Sequence, residues 1–151
     1  MAYYDSHRHR WIQGNPAQRG RSGFESREMD RLDSLNINYL YEMVRLPYAA
    51  PAVYVPDFLL PEQAIVLELK GQFNSSDRQK MLRVKAQYPD LDIRLVFSNA
   101  NTRIGKTSQT TYGMWAERNG FPYASHAIPV EWFDHKPTAK QRKAFKEISP
   151  K

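Results

Sequence analysis

Apolar positions are spread unevenly along the chain, and they are densest near its middle. Val53 to Leu60 is β-branched, aromatic and aliphatic, and Ala64 to Lys70 is a second apolar run. Pro61, Glu62 and Gln63 separate the two. Two short apolar runs around a turn signal predict a β-hairpin. Side chains on a strand alternate between its faces. Ile65, Leu67 and Leu69 then share one face, which belongs in a core, and Val66, Glu68 and Lys70 share the other. With the turn at 61 to 63 or 64, Asp57 stands opposite Leu67 or Glu68 on the facing strand.

Helical spacing appears on both sides of this hairpin. Ser22 to about Leu35 predicts a first helix, with Ser22 as N-cap and Glu25 three residues on, the pattern of a capping box. Phe24, Met29, Leu32 and Leu35 mark its buried stripe, and Glu28, Asp30, Arg31 and Asp33 its wet face. Ile37 to Leu46 reads as a strand. Pro47 and Pro51 keep the following connector extended and stop it folding back tightly. Beyond the hairpin, Ser75 or Ser76 caps a second helix that runs to about Tyr88 and stops at Pro89. Met81, Leu82, Val84 and Ala86 form its apolar side. Leu91 to Phe97 is a further core strand, and Ser98 to Thr111 a polar loop. A third helix covers Tyr112 to about Arg118 and closes at Asn119-Gly120. A short strand within Phe121 to Ile128 and a final turn at Val130 to Phe133 complete the pattern. From Asp134 onward no element of its own is predicted.

Composition narrows the class. The chain has 151 residues, the size of one domain, and no cysteine, which excludes disulfides and thiolate metal sites. No apolar run approaches a membrane span and no signal-peptide core is present, so a soluble cytoplasmic protein is expected. The net charge is +6: residues 1–22 carry +3 and residues 136–151 carry +5, leaving the middle at −2. Basic ends around a slightly acidic centre suit a polyanionic partner. His7 and His9 flank Arg8 in a segment without periodicity, which reads as an arm for phosphates rather than a metal site.

The acidic centre carries the chemistry. Asp57, Glu68 and Lys70 converge on a sheet otherwise built from apolar residues. Two carboxylates ~5 Å apart repel by about 3 kcal/mol at an effective dielectric of 20. A divalent cation relieves that repulsion, and oxygen-only ligands suit Mg²⁺, with phosphate oxygens completing its shell. Lys70 can hold a water or offset charge growing on a phosphate. The plain alternative is two solvent-facing strand residues and a turn cap.

Pro56-Asp57 followed by Glu68-Leu69-Lys70 resembles the PD-(D/E)xK nuclease motif. A longer ordered set is similar to the phage endonuclease I family, the Holliday-junction-resolving enzymes of T7-like phages. It comprises Arg21 to Glu25, Val55 to Pro61, Leu67 to Gly71, Ser76 to Arg78, Leu91 to Ser98, Tyr112-Gly113 and Ile128 to Trp132. The resemblance implies an α/β fold with a restriction-endonuclease-like core, a mixed central β-sheet flanked by helices, in an intertwined, domain-swapped homodimer. The expected organisation is a flexible basic arm over 1–20, a nuclease domain over 21–134 and a basic tail over 135–151. Within the domain, 21–46 is the swapped helix–strand unit and 47–51 the bridge.

The resemblance makes Glu25 a fourth active-site acid beside its capping role, supplied to the other chain's Asp57, Glu68 and Lys70. Asp57, Glu68 and Glu25 would bind one or two Mg²⁺ ions, with Mn²⁺ able to substitute. The implied substrate is branched DNA, chiefly four-way junctions, cut by paired nicks in the cytoplasm of an infected cell. Arg21, Arg78, Lys80, Arg103, Lys106 and Ser108 are the expected DNA contacts. Two other readings stand beside this one: a nuclease for linear or mismatched duplex, and a non-catalytic DNA-binding protein of the same fold.

Overall fold

The computed structural model describes residues 2–5, 10–13, 22–48 and 52–150, the first two segments as backbone only. Expectations resting on Arg21, on the side chains of the arm or on the 49–51 tip of the bridge lie outside these residues. Where the arm predicts no regular element, strands β1 (Ala2–Asp5) and β2 (Arg10–Gln13) pair antiparallel.

A five-stranded mixed sheet forms the centre. Its order is β3 (Leu40–Tyr41), β6 (Phe58–Leu60), β7 (Ile65–Lys70), β8 (Asp92–Phe97) and β9 (Tyr123–Ser125). β3, β6 and β7 run antiparallel to their neighbours, while β7, β8 and β9 run parallel. The predicted hairpin is β6–β7, with Phe58 opposite Leu67 and Leu60 opposite Ile65, but of the Val53–Leu60 run only Phe58–Leu60 belongs to it, since Ala52–Tyr54 pairs with Leu46–Tyr48 instead. Both faces are covered, and the alternation along β7 divides two cores. Val66 joins Leu59, Ile93, Leu95 and Phe97 under helix α2 (Ser75–Gln87), α3 (Tyr112–Arg118) and α4 (Ala139–Ile148). Ile65, Leu67 and Leu69 join Phe58 and Val96 under α1 (Gly23–Ser34).

α1 begins as predicted, with the Ser22 hydroxyl accepting the Glu25 N–H at 3.1 Å. Met29 and Leu32 are buried, but Leu35 is exposed. Glu28, expected on the wet face, is buried instead. Its carboxylate accepts the Ile128 N–H at 3.1 Å, and Arg31 donates to the Ile128 carbonyl. Both backbone groups of Ile128, which lies outside the sheet, are thus satisfied by two helix side chains, a tertiary demand the helical pattern does not show.

Four further elements differ from expectation. The predicted 37–46 strand is cut short because Glu42 takes a left-handed φ of 49°, so only Leu40–Tyr41 joins the sheet. The connector does fold back: β4 (Leu46–Tyr48) pairs antiparallel with β5 (Ala52–Tyr54). Proline permits this because the Pro47 carbonyl points out of the ladder to the Tyr88 hydroxyl, 2.7 Å away. On a strand a residue's N and O point the same way, so the missing Pro47 N–H removes no ladder bond. α2 is capped by Asn74, not by either serine, in a reciprocal box with Asp77; of its apolar side Met81 and Val84 are buried and Leu82 is exposed. The basic tail contains α4, started by a Thr138–Gln141 capping box and docked through buried Phe145. Among the described residues no helix is long and apolar enough to cross a membrane.

Candidate active site

The open end of the β6–β7 hairpin gathers the charged residues. Continuing the register by one step sets Asp57 opposite Glu68. The Asp57 carboxylate accepts the Leu69 N–H at 2.7 Å, which ties it to the strand carrying Glu68. Glu68 is 4% exposed and has a different partner on each oxygen. The Tyr54 hydroxyl donates to one at 2.8 Å, and Lys70 Nζ lies 3.3 Å from the other. Lys70 is also 3.4 Å from Asp77, so the start of α2 is joined to the site. Glu68 and Lys70 are thus in contact, and Asp57 is bonded to the backbone between them at the same corner of the sheet.

Glu25 reaches this corner from α1. Its carboxylate accepts a hydrogen bond from the Tyr41 hydroxyl while also contacting the Ser22 hydroxyl that caps the helix, at 3.3 Å. The Glu25 N–H serves the cap through the Ser22 hydroxyl, while its carboxylate faces the other acids. Glu25, Glu42 and Asp57 each offer a carboxylate oxygen, and these lie within 4.8 Å of one another. Glu42 is placed by the backbone: its N–H donates to the Asp57 carbonyl at 3.0 Å, and its left-handed φ turns it off the strand path. Sequence reasoning missed Glu42. The available signal was a lone acid inside the aromatic and aliphatic run from Tyr39 to Val44. Tyr41 and Tyr54 donate to Glu25 and Glu68, a role that the strand pattern around them does not signal.

The electrostatics follow from crowding acids in a dry corner. Burial first, then the neighbouring Glu68 and Glu25 charges, push Asp57 up to about 8, against the Leu69 N–H and Lys70, which favour its ionised form. Burial also raises Glu68, although Lys70, the Tyr54 hydroxyl and Lys80 oppose the shift. Burial works against a charged Lys70, but Glu68 and Asp77 outweigh it and raise its pKa, so it stays an ammonium. Acids outnumber cations here. An all-oxygen donor set with excess negative charge fits a hard divalent cation such as Mg²⁺ or Mn²⁺. Glu25, Glu42 and Asp57 form the trio able to share one ion, with Glu68 beside Asp57.

The expected DNA contacts separate into two sets. Lys80 sits 5.7 Å over the Tyr54 ring, beside the acids. Arg78 is engaged by the Phe73 carbonyl at 2.6 Å. Arg103 and Lys106 are exposed, and Ser108 is half-buried with its hydroxyl accepting the Thr110 N–H at 3.0 Å. Their loop leaves β8 next to the site, because the Ser98 N–H bonds the Lys70 carbonyl at 3.0 Å. The basic helix α4 lies at the far end of the hairpin, where Arg142 donates to the Pro61 and Glu62 carbonyls, both at 3.0 Å.

The chain is similar in sequence to known proteins. A family model described as phage endonuclease I matches residues 1–151. Endonuclease I of Escherichia phage T7 is 44% identical over 115 residues, 74% of this chain and 76% of that protein. Endodeoxyribonuclease 1 of Enterobacteria phage T3 is 45% identical over 113 residues, 73% and 74% of the two chains.

Proposed function

The chain belongs to the phage endonuclease I family, and from that membership and its acidic corner we propose that it is a Mg²⁺-dependent endodeoxyribonuclease that resolves four-way junctions and other branched DNA by paired nicks. The observation that carries this reading is the meeting of Asp57, Glu68 and Lys70, with Asp57 pushed up to about 8 by burial and by neighbouring acids. A protein gains nothing in stability from such a cluster alone. A bound Mg²⁺ would neutralise the acids, polarise a phosphate oxygen and make a bound water more acidic.

The residues then divide the work. Asp57, Glu68, Glu25 and Glu42 supply the oxygen donors and draw the ion to the open end of the hairpin. Lys70, held cationic by Glu68 and Asp77, faces charge that accumulates on the scissile phosphate. Lys80, Arg103 and Lys106 offer phosphate contacts at the same end of the sheet. Arg78 and Ser108 flank that surface.

Paired nicks need two such sites in one assembly, which favours the intertwined homodimer. Within one chain Glu25 reaches Asp57 across the β4–β5 connector. Opening that connector would let the same contacts form between two chains, moving α1 and β3 together. The restriction-endonuclease-like core belongs to the same proposal and is supported by the mixed sheet with its acids at a strand end.

Two measurements test the reading. A four-way junction and its separate arm duplexes are incubated with enzyme and Mg²⁺; faster nicking of the junction is expected, and equal rates would replace junction resolution by cleavage of linear duplex. Glu25→Ala and Asp57→Ala chains are then refolded together. An exchanged dimer restores one intact site and hence nicking, whereas mixed chains that remain inactive would refute the swap.

A further inference from the structure

We propose that Tyr54 is a positioning residue of this site, its buried phenol fixing Glu68 in the orientation from which it serves the bound cation. The inference rests on the nuclease reading above and adds a residue to it. Tyr54 lies on β5, outside the five-stranded sheet, and is 1% exposed. Its hydroxyl donates to Glu68 Oε2 at 2.8 Å. Lys70 faces the other oxygen at 3.3 Å but divides its charge with Asp77 at 3.4 Å. A carboxylate held on one side by a shared ammonium can swivel about that contact. A second donor on the opposite oxygen, arriving from another strand, fixes the plane of the group.

Three features suit a phenol to this task. It is neutral, so it orients Glu68 without cancelling the negative charge that a cation needs. Its ring is locked by packing in the core under α2, with Lys80 Nζ 5.7 Å above it, so the hydroxyl has a fixed origin. It also stands three residues before Asp57, so one short segment both carries an acid and steadies the other across the hairpin. Partners that orient metal-binding carboxylates from behind typically change metal affinity or activity by about 10–100-fold when removed.

The test compares wild type, Tyr54→Phe and Asp57→Ala. Mn²⁺ affinity is measured by titration calorimetry without DNA, four-way-junction affinity without metal, and kcat and KM with Mg²⁺. For Tyr54→Phe, Mn²⁺ affinity and kcat are expected to fall about 10-fold or more, with KM and metal-free junction affinity unchanged. Mn²⁺ affinity equal to wild type would overturn the proposal, as would a loss confined to junction affinity, which marks Tyr54 as packing alone. Wild-type Mn²⁺ binding that survives in Asp57→Ala would sink the active-site reading and this inference together. Should Tyr54→Phe fail to fold, the Tyr54 hydroxyl proton is followed by NMR in the wild type. It is expected to shift on adding Mg²⁺, and a resonance that stays in place would overturn the role.

Discussion

Two clusters of buried charge sit on neighbouring strands and do opposite things. On β8, Asp92 receives Arg94 on both oxygens, at 2.9 and 2.6 Å, with His135 3.4 Å away. The Arg94 guanidinium lies 5.0 Å over the Trp132 ring. One acid meets one permanent cation in a bidentate fork, and an aromatic face covers the cation. At the other end of the sheet, the Lys70 ammonium is divided between Glu68 and Asp77, while Asp57, Glu25 and Glu42 crowd together beside it. The first cluster is balanced and closes the fold against the segment before α4. The second is unbalanced, with more acids than cations among its described neighbours. Burial alone does not separate structure from function here; the local sum of charge does.

Substitutions can break this contrast from either side. The largest effect is expected on catalysis: Asp57→Ala and Glu68→Ala should each lower junction nicking about a hundredfold or more, measured under single-turnover conditions. Asp92→Ala should leave nicking by folded protein unchanged. Next comes stability. Removing Asp92 strands a buried guanidinium, and denaturant unfolding should show a loss of about 3–5 kcal/mol.

The pH dependence sharpens the comparison further. Asp57 moves from an ordinary 3.8 to about 8 in the folded chain. Between those values the folded state binds the proton that the unfolded state has released, so metal-free stability falls as pH rises through that window. The melting temperature should therefore drop from pH 5 to pH 8 without metal. Asp57→Asn should flatten the slope, and so should saturating Mg²⁺, which favours the ionised form. A slope unchanged in Asp57→Asn would mean that the acids do not crowd as described. The smallest effect belongs to an exposed pair outside both clusters. Lys140 and Asp90 are 3.9 Å apart with side chains 77% and 49% exposed, and Lys140→Ala should change stability by less than about 1 kcal/mol.

Much of the site was legible because it depends on local periodicity. Alternation along Ile65 to Lys70 and a turn signal at Pro61 narrow the partner of Asp57 to Leu67 or Glu68, and the register of the folded hairpin selects Glu68. Ser22 and Asn119-Gly120 mark helix ends through short-range capping, and both do so in the structure. What escaped depends on contacts between distant segments. Glu28 is buried because the Ile128 peptide, a hundred positions away, needs an acceptor. α4 went unseen because its apolar face is only Ala144, Phe145 and Ile148, set among lysines. Glu42 enters the site through a left-handed turn that no residue preference signals, since the backbone of Asp57 holds it there.

That rung between the Glu42 N–H and the Asp57 carbonyl has a consequence for how the gene can vary. It pins both feet of the excursion through β4 and β5 at one point beside the acids. Codons added between Tyr48 and Ala52 would lengthen a tether whose anchorages stay put. Each doubling of such a tether costs only about 0.6 kcal/mol in closure entropy. The excursion can therefore be lengthened or shortened at its tip while Glu42 and Asp57 keep their places.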